Sequence, residues 1–428
     1  MTDDLATGAD RWRQALAVYL TRRQLIILLM GFSSGLPLLL GFSTLSFWMR
    51  EAGVSLAAIG GLLTVATPYS LKFLWAPVFD HVRLPFLTRW LGLRRSWLLV
   101  IQVLLVGSII VVGQGDPSTS IGFIAAAAFV MAFLSASQDI VIDAYRIEIL
   151  DEHEQGAGAA MTQVGYRVGM LVSGAGALAL ADVIAWSVVY AIMGALVAVG
   201  MVAAIIGAEP VNRRPPAPKA PLAFLRHATL EPLKDFTTRR GWLVILAFVL
   251  LYKYGDAIAG AMANPFYVDL GFSGLEIASV TNVFGVAMTM VGVFAGGLLV
   301  ARIGILPALG VGGVLQAVTN LTFAWLATRG HDVTALTIAV GTDNFAGGLG
   351  SAAFVAYLSA LCNVAFTATQ YALLTSLMAF GRTLLAASSG WLAEGLGWAG
   401  FFVATTFLAV PALLLLWVLM RLYPTAKG

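Results

Sequence analysis

Ala208-Glu209-Pro210-Val211-Asn212-Arg213-Arg214-Pro215-Pro216-Ala217-Pro218 opens residues 208–241, the only long polar interruption in this chain. The run from Arg213 to Pro218 cannot stay helical, because proline lacks the amide donor and clashes with the turn before it. Six apolar runs precede it, near residues 25–46, 57–79, 96–113, 121–145, 158–181 and 184–207. Six follow it, near 242–268, 273–300, 305–326, 333–361, 367–393 and 398–421. A helix of about 20 residues crosses a hydrocarbon core, and these runs have that length. With no water in the core, each run must satisfy its own backbone hydrogen bonds, which suits helices rather than tilted barrel strands. The expected fold class is all-α integral membrane, with twelve transmembrane helices. The expected divisions are a segment 1–24, a six-helix bundle 25–207, a linker 208–241, a second bundle 242–421 and a tail 422–428.

Composition points the same way. Of 428 residues 59% are hydrophobic and 11% charged, against about 25% charged in soluble domains, and the mean hydropathy is +0.88. So few charges cannot cover a water-facing surface of this size, which excludes a soluble fold. The single cysteine, Cys362, excludes an internal disulfide framework and a Cys-rich metal site. There is no HExxH, no Walker loop and no Cys/His cluster, so neither an enzyme nor a metal or cofactor is expected. Any movement of solute must be driven by a gradient or by the solute's own concentration.

Loops rich in Lys and Arg stay in the cytoplasm. Arg11, Arg13, Arg22, Arg23, Arg83, Arg89, Arg94, Arg95, Arg146, Arg302 and Arg421, Lys427 and the basic residues of the linker share one face, against Arg50 and Arg329 on the other. Both termini are expected in the cytoplasm. This asymmetry accounts for the basic residues, leaving no case for nucleic-acid binding. No cleavable signal peptide is expected, since residues 1–24 read as a polar, interfacial segment.

The two halves carry traces of duplication. Phe47-Trp48-Met49 matches Phe266-Tyr267-Val268, Asp80 falls opposite Ala301, and Arg167 falls opposite Arg382. Units with an even number of spans are parallel repeats about an axis along the membrane normal, as in the major facilitator fold.

A charge in the hydrocarbon core costs at least about 2.5–3.5 kcal/mol, so intramembrane ionisable groups are functional candidates. There are eight: Lys72, Asp139, Asp143 and Arg167 in the first half, and Lys253, Asp256, Asp343 and Arg382 in the second. Equal numbers of each sign suggest pairing. Asp139 and Asp143 lie four apart on one helical face, with Gln138 beside them. Asp139 is at a depth where Arg167 can pair with it, and Asp143 can pair with Arg146. Such pairs would serve as latches, or as substrate and proton sites. Lys72 lies within helical reach of Tyr69 and Trp75, a cation beside aromatic faces that suits a sugar ring and an anionic group. Tyr252-Lys253-Tyr254-Gly255-Asp256 and Asp343-Asn344 sit near the midplane, where transporter sites usually lie. All four histidines are in loops or at span ends, so a carboxylate must carry any coupled proton, and Asp139, Asp256 and Asp343 are the candidates.

Several segments together resemble the AmpG-type muropeptide permeases of the major facilitator superfamily. They are Gly31-Phe32-Ser33-Ser34-Gly35-Leu36-Pro37, Lys72-Phe73-Leu74-Trp75-Ala76-Pro77 with Asp80, Arg94-Arg95-Ser96-Trp97, Ser135 to Ala144, and Gly165-Tyr166-Arg167-Val168-Gly169. The resemblance covers most of the first half by motif and the second half by pattern. The Asp80 to Arg95 stretch is similar to the common facilitator loop after span two, with an insertion from Arg83 to Leu91 and Ala76 where that motif favours Gly. The resemblance implies a Gram-negative inner-membrane importer of GlcNAc-1,6-anhydro-MurNAc peptides for cell-wall recycling, driven by the proton motive force. It further implies a link to β-lactamase induction. The expected substrate contacts are Tyr69, Lys72, Gln138, Asp139, Arg167, Tyr252, Lys253 and Asn344. The expected gate is Asp80, Arg94, Arg95, Asp143 and Arg146, and the expected assembly is a monomer. Two other readings stay open: another facilitator carrying drugs or acyl-CoA, and a non-transporting assembly factor on the same fold.

Overall fold

The structure, a computed structural model, describes residues 17–55, 58–59, 63–211, 230–386 and 388–422, without the side chains of residues 63, 64, 274, 282 and 382–386. Expectations for residues 1–16, the linker residues 212–229, the tail from 423 and the Arg382 side chain lie outside the described residues.

All described elements are helical. Ten segments are long and apolar enough to cross a membrane: Arg22–Glu51, Leu93–Gly113, Ile121–Ile149, Glu152–Ala181, Trp186–Ile206, Trp242–Asp269, Leu275–Ile303, Ile305–Arg329, Val364–Gly381 and Ser389–Leu422. Two further crossings are helical but polar or broken. Val333–Ala360 is one helix of 28 residues whose middle carries Thr342, Asp343 and Asn344. Residues 63–81 are split into Leu63–Ala66, Thr67–Leu71, Lys72–Leu74 and Ala76–His81. Pro68 and Pro77 each sit in the first turn of a short helix, the position that tolerates a missing N–H, and each thereby ends the helix before it. The result is the twelve crossings expected, numbered here span 1 to span 12 in chain order. Span 11 begins at Thr367, and Gly397, at φ 64°, breaks the helix where span 12 starts.

The duplication is visible in packing. Span 1 packs on span 6 as span 7 packs on span 12, and span 3 lies on spans 4 and 6 as span 9 lies on spans 10 and 12. At the tip of the first half, Trp48 stacks on Trp186 at 5.4 Å, and the Trp186 indole N–H donates to Glu51 at 2.8 Å. At the tip of the second, Phe266 meets Trp398 at 5.3 Å, and Trp398 donates to Asp269 at 3.0 Å. The same indole–carboxylate fastening thus ties the first span of each half to its last.

Helices approach closely where glycine removes the side chain. A Cβ on Gly35 of span 1 would stand 2.1 Å from the Tyr166 carbonyl oxygen of span 5, so only glycine fits there. Between the halves, span 5 packs on spans 8 and 10, and span 11 packs on spans 2 and 4, an arrangement with pseudo-twofold symmetry. Tyr19, Ala157 and Ala160 form one apolar seam with Val293 and Ala352. Ala368 and Ala372 of span 11 join Ile140, Val141 and Ala144 of span 4 in another. These seams lie toward the face that carries Arg22 and Leu422, called here the terminal face.

Candidate substrate cleft and gate

In the first half the site is built on the broken second span. The turn at Lys72–Leu74 interrupts the helix and leaves the Lys72 ammonium acting on Asp139 and Asp143 of span 4. Asp139 accepts a 2.5 Å hydrogen bond from the Ser34 hydroxyl of span 1. Tyr69 is half-buried on the same side, within reach of Asp139 and of Ser135. Arg167 on span 5 is exposed, and no ion pair joins it to Asp139 among the described residues. The sequence placed these two at one depth, but the hydroxyl of span 1 stands nearer the carboxylate than the guanidinium does.

In the second half the site again forms at a helix interruption. Lys253 falls between Trp242–Leu251 and Tyr254–Asp269, with φ −101° and ψ 13°. Its ammonium pairs with Asp256 at 3.0 Å, one turn on. Asp343 of span 10 accepts from the Thr319 hydroxyl of span 9 at 3.2 Å, with Asp256 and Lys253 the nearest charges. Asn344 accepts from Thr289 of span 8 at 2.7 Å and donates to Val340 in its own helix at 2.9 Å. Each half therefore gathers a lysine, two carboxylates and a hydroxyl. Among the described residues no group of three or more His, Cys, Asp or Glu could hold a metal ion.

Three expected site residues make packing contacts within their own half. Gln138 is fully buried, donates to the Ser33 carbonyl at 3.1 Å and accepts from the Ser33 hydroxyl at 3.4 Å, fastening span 4 to span 1. Next to Asp139 in sequence, it sits 100° round the helix and faces inward. Tyr252 is buried, stacks on Phe354 at 4.8 Å and donates to the Leu309 carbonyl at 3.0 Å. Arg95 ties span 3 to span 6 rather than half to half. Its guanidinium donates to the carbonyls of Ala204 and Ile205 at 2.6 and 2.5 Å.

Of the other residues expected at the gate, Asp80 and Arg146 reach the second half, and Arg94 and Asp143 pair with them from the first. Arg94 is fully buried and pairs with Asp80 at 2.7 Å and with Glu148 at 2.6 Å. It also donates to the Phe79 carbonyl at 2.9 Å. Asp80 reaches into the other half, accepting from the amides of Ala368 and Thr369 at 3.2 and 2.9 Å and from the Thr369 hydroxyl at 2.7 Å. These are orphan N–H groups at the start of span 11, where a carboxylate is favoured by both hydrogen bonding and the helix dipole. Arg146 bridges the same seam. It pairs with Asp143 at 3.5 Å, donates to Ser359 of span 10 at 3.0 Å and lies 5.5 Å from the Tyr371 ring. Nearby, Tyr19 donates to the Phe294 carbonyl at 3.0 Å. The seam between the halves is thus closed at the terminal face.

Several participants were not anticipated from sequence. Glu148 was signalled only as a carboxylate two residues from Arg146. Glu209 accepts from the amides of Arg94 and Arg95 at 2.8 and 3.1 Å and so caps span 3. Nothing in the sequence relates Thr369 to Asp80, 289 residues away.

Twelve crossings in two like halves, with charged side chains within the spans of both, define a major facilitator carrier. The family model of the Major Facilitator Superfamily matches residues 25–328. Among solved structures the chain is similar to the proton:xylose symporter XylE, with TM-score 0.63 and 13% identity over 99% of this chain and 98% of that one. It is similar also to the human organic anion transporter MFSD10, with TM-score 0.62 and 17% identity over 95% and 99%. It is 40% identical to the anhydromuropeptide permease of Escherichia coli (strain K12), over 95% of this chain and 81% of that protein. It is 37% identical to a putative transporter AmpG 4 of Rickettsia felis, over 92% and 96%. The chain belongs to the major facilitator superfamily and, within it, to the AmpG-type permease family. It is a multi-pass membrane transporter and not an enzyme.

Proposed function

We propose that this protein imports GlcNAc-1,6-anhydro-MurNAc peptides from periplasm to cytoplasm across the inner membrane of a Gram-negative bacterium, in symport with protons. The observation that carries the reading is the 40% identity to the E. coli anhydromuropeptide permease along 95% of the chain. The cleft is chemically suited to such a ligand. Peptide carboxylates find Lys72 and Arg167, a free amine finds Asp256 and Asp343, and Tyr69 offers a ring to a sugar face. Bundles 25–207 and 242–421 rock about this cleft, with 208–241 as the linker, and one chain suffices. The face rich in Lys and Arg is cytoplasmic, with both termini, so the sealed gate corresponds to a carrier open toward the periplasm.

The coupling groups are Asp139 and Asp343. Each is hydrogen-bonded to a hydroxyl rather than held in an ion pair, so protonation breaks no ion pair. Asp143 and Asp256 are paired with Arg146 and Lys253, and protonating either would leave a buried positive charge alone. Uptake of radiolabelled GlcNAc-anhydro-MurNAc tripeptide into proteoliposomes, with and without an inward proton gradient, tests the reading. Gradient-driven accumulation is expected. Its absence in folded protein would return the drug or acyl-CoA carrier and the assembly factor to the fore.

A further inference from the structure

Arg146 is more than the latch described above. Its side chain is completely buried, yet Nε and Nη2 make no hydrogen bond of good geometry, with Asp143 and Tyr371 only at the edge of reach. The Asp143 carboxylate stands 3.5 Å from Nη2, and Nη1 alone is satisfied, by Ser359. An unmet guanidinium donor in a buried place is costly, and such a group calls for a missing acceptor. Its position names the acceptor. Asp139, Asp143 and Arg146 follow at i, i+4 and i+7 along one face of span 4, so Arg146 stands roughly 10 Å nearer the terminal face than Asp139, at 1.5 Å per residue. Along span 4 it is the next charged side chain toward the terminal face after Asp143. Its partners across the seam, Ser359 and Tyr371, belong to spans 10 and 11 of the other half. Parting the halves at this face removes both and presents the planar fork to the opened passage.

We propose that Arg146 forms an exit subsite for a carboxylate of the transported solute, occupied only when the carrier is open at the terminal face. The proposal rests on the transport reading above and adds a second anion site to it. A planar fork whose Nε is unmet and whose Nη2 holds Asp143 only at 3.5 Å suits a bidentate carboxylate. In the sealed state Ser359 and the Tyr371 ring hold its place, and the solute's carboxylate takes over as they withdraw.

The test uses inverted and right-side-out proteoliposomes and two probes: the GlcNAc-anhydro-MurNAc tripeptide and the same compound with its carboxylates amidated. The readout is the ratio of their half-saturation concentrations, amidated over native, measured from each face. A change in how often each face is open moves both probes equally, so the ratio is blind to latching. In the wild type the ratio at the terminal face is expected to be about tenfold or more, the usual effect of a charge-assisted hydrogen bond. R146Q should bring that ratio several-fold toward one and leave the ratio at the opposite face unaltered. S359A, which removes a latch contact only, should keep the wild-type ratio at both faces. A terminal-face ratio in R146Q equal to the wild type, with protein folded and both probes still carried, overturns the exit subsite and leaves Arg146 a latch. Failure of the wild type to carry either probe would instead strike the transport reading itself.

Discussion

Gly297 of span 8 offers the sharpest probe of the seam. A Cβ built there stands 2.2 Å from the Tyr19 hydroxyl, 2.7 Å from the Gly156 carbonyl oxygen and 2.9 Å from the Ala160 Cβ, all three in the opposite half. The added methyl of G297A therefore clashes only while the terminal face is shut. A backbone oxygen cannot swing away, so the halves must part by several tenths of an ångström or more. Overpacking of this kind costs about 1–3 kcal/mol. Because the open form bears none of it, the equilibrium moves toward opening by roughly 5- to 150-fold. The native reporter is Cys362, the only cysteine, placed between spans 10 and 11 beside the gate. Its thiol is partly covered, and burial pushes its pKa up. Opening lets in water, lowers that pKa and raises the reactive thiolate fraction, so both effects speed alkylation. The assay is the rate of maleimide labelling of Cys362 in detergent, with thermal unfolding as the control for folding. Where opening and closing are fast against labelling, the rate follows the open population. G297A should label at least about fivefold faster, with an unfolding temperature lowered by no more than the few degrees that about 1–3 kcal/mol explains. Equal rates in folded G297A and wild type would refute the seam as the contact that closes the carrier.

Three further outcomes follow from the same geometry. D80N should also speed Cys362 labelling and lower stability by about 1–3 kcal/mol in thermal unfolding, less than a fully stranded buried cation would cost, because Glu148 still neutralises Arg94. D139N and D343N should each abolish gradient-driven accumulation while leaving substrate exchange, whereas S34A and T319A, which remove only the hydroxyl partners, should keep coupling and shift its pH dependence. W186F and W398F should each cost about 0.5–1.5 kcal/mol and add in the double variant within roughly 0.5 kcal/mol, as chemical denaturation would show. Strong non-additivity would mean that the two halves do not form their tips independently.

Apolar run length and the polar break near Pro215 were enough to read twelve spans, because each membrane helix closes its own hydrogen bonds and carries its own signal. The eight intramembrane charges were legible for a related reason: in hydrocarbon a charge is too costly to be incidental. The face of a helix was less legible. Gln138 and Asp139 are neighbours in sequence, yet one is packed against Ser33 while the other meets Ser34 and Lys72. Tyr252 was read with Lys253 as a site residue, but its ring belongs to the core against Phe354. Arg94 and Arg95 divide in the same way, one bridging carboxylates at the gate and the other pinning the end of span 6.

Fold class and the count of crossings were determined by sequence alone, since both depend on local composition and on the cost of polarity in lipid. The pairings were decided by tertiary structure. Asp80 with the start of span 11, Arg146 with Ser359, Asp139 with Ser34 and Asp343 with Thr319 join residues from different helices. Which partner wins depends on distance and direction between packed elements, quantities that periodicity within a single span does not encode.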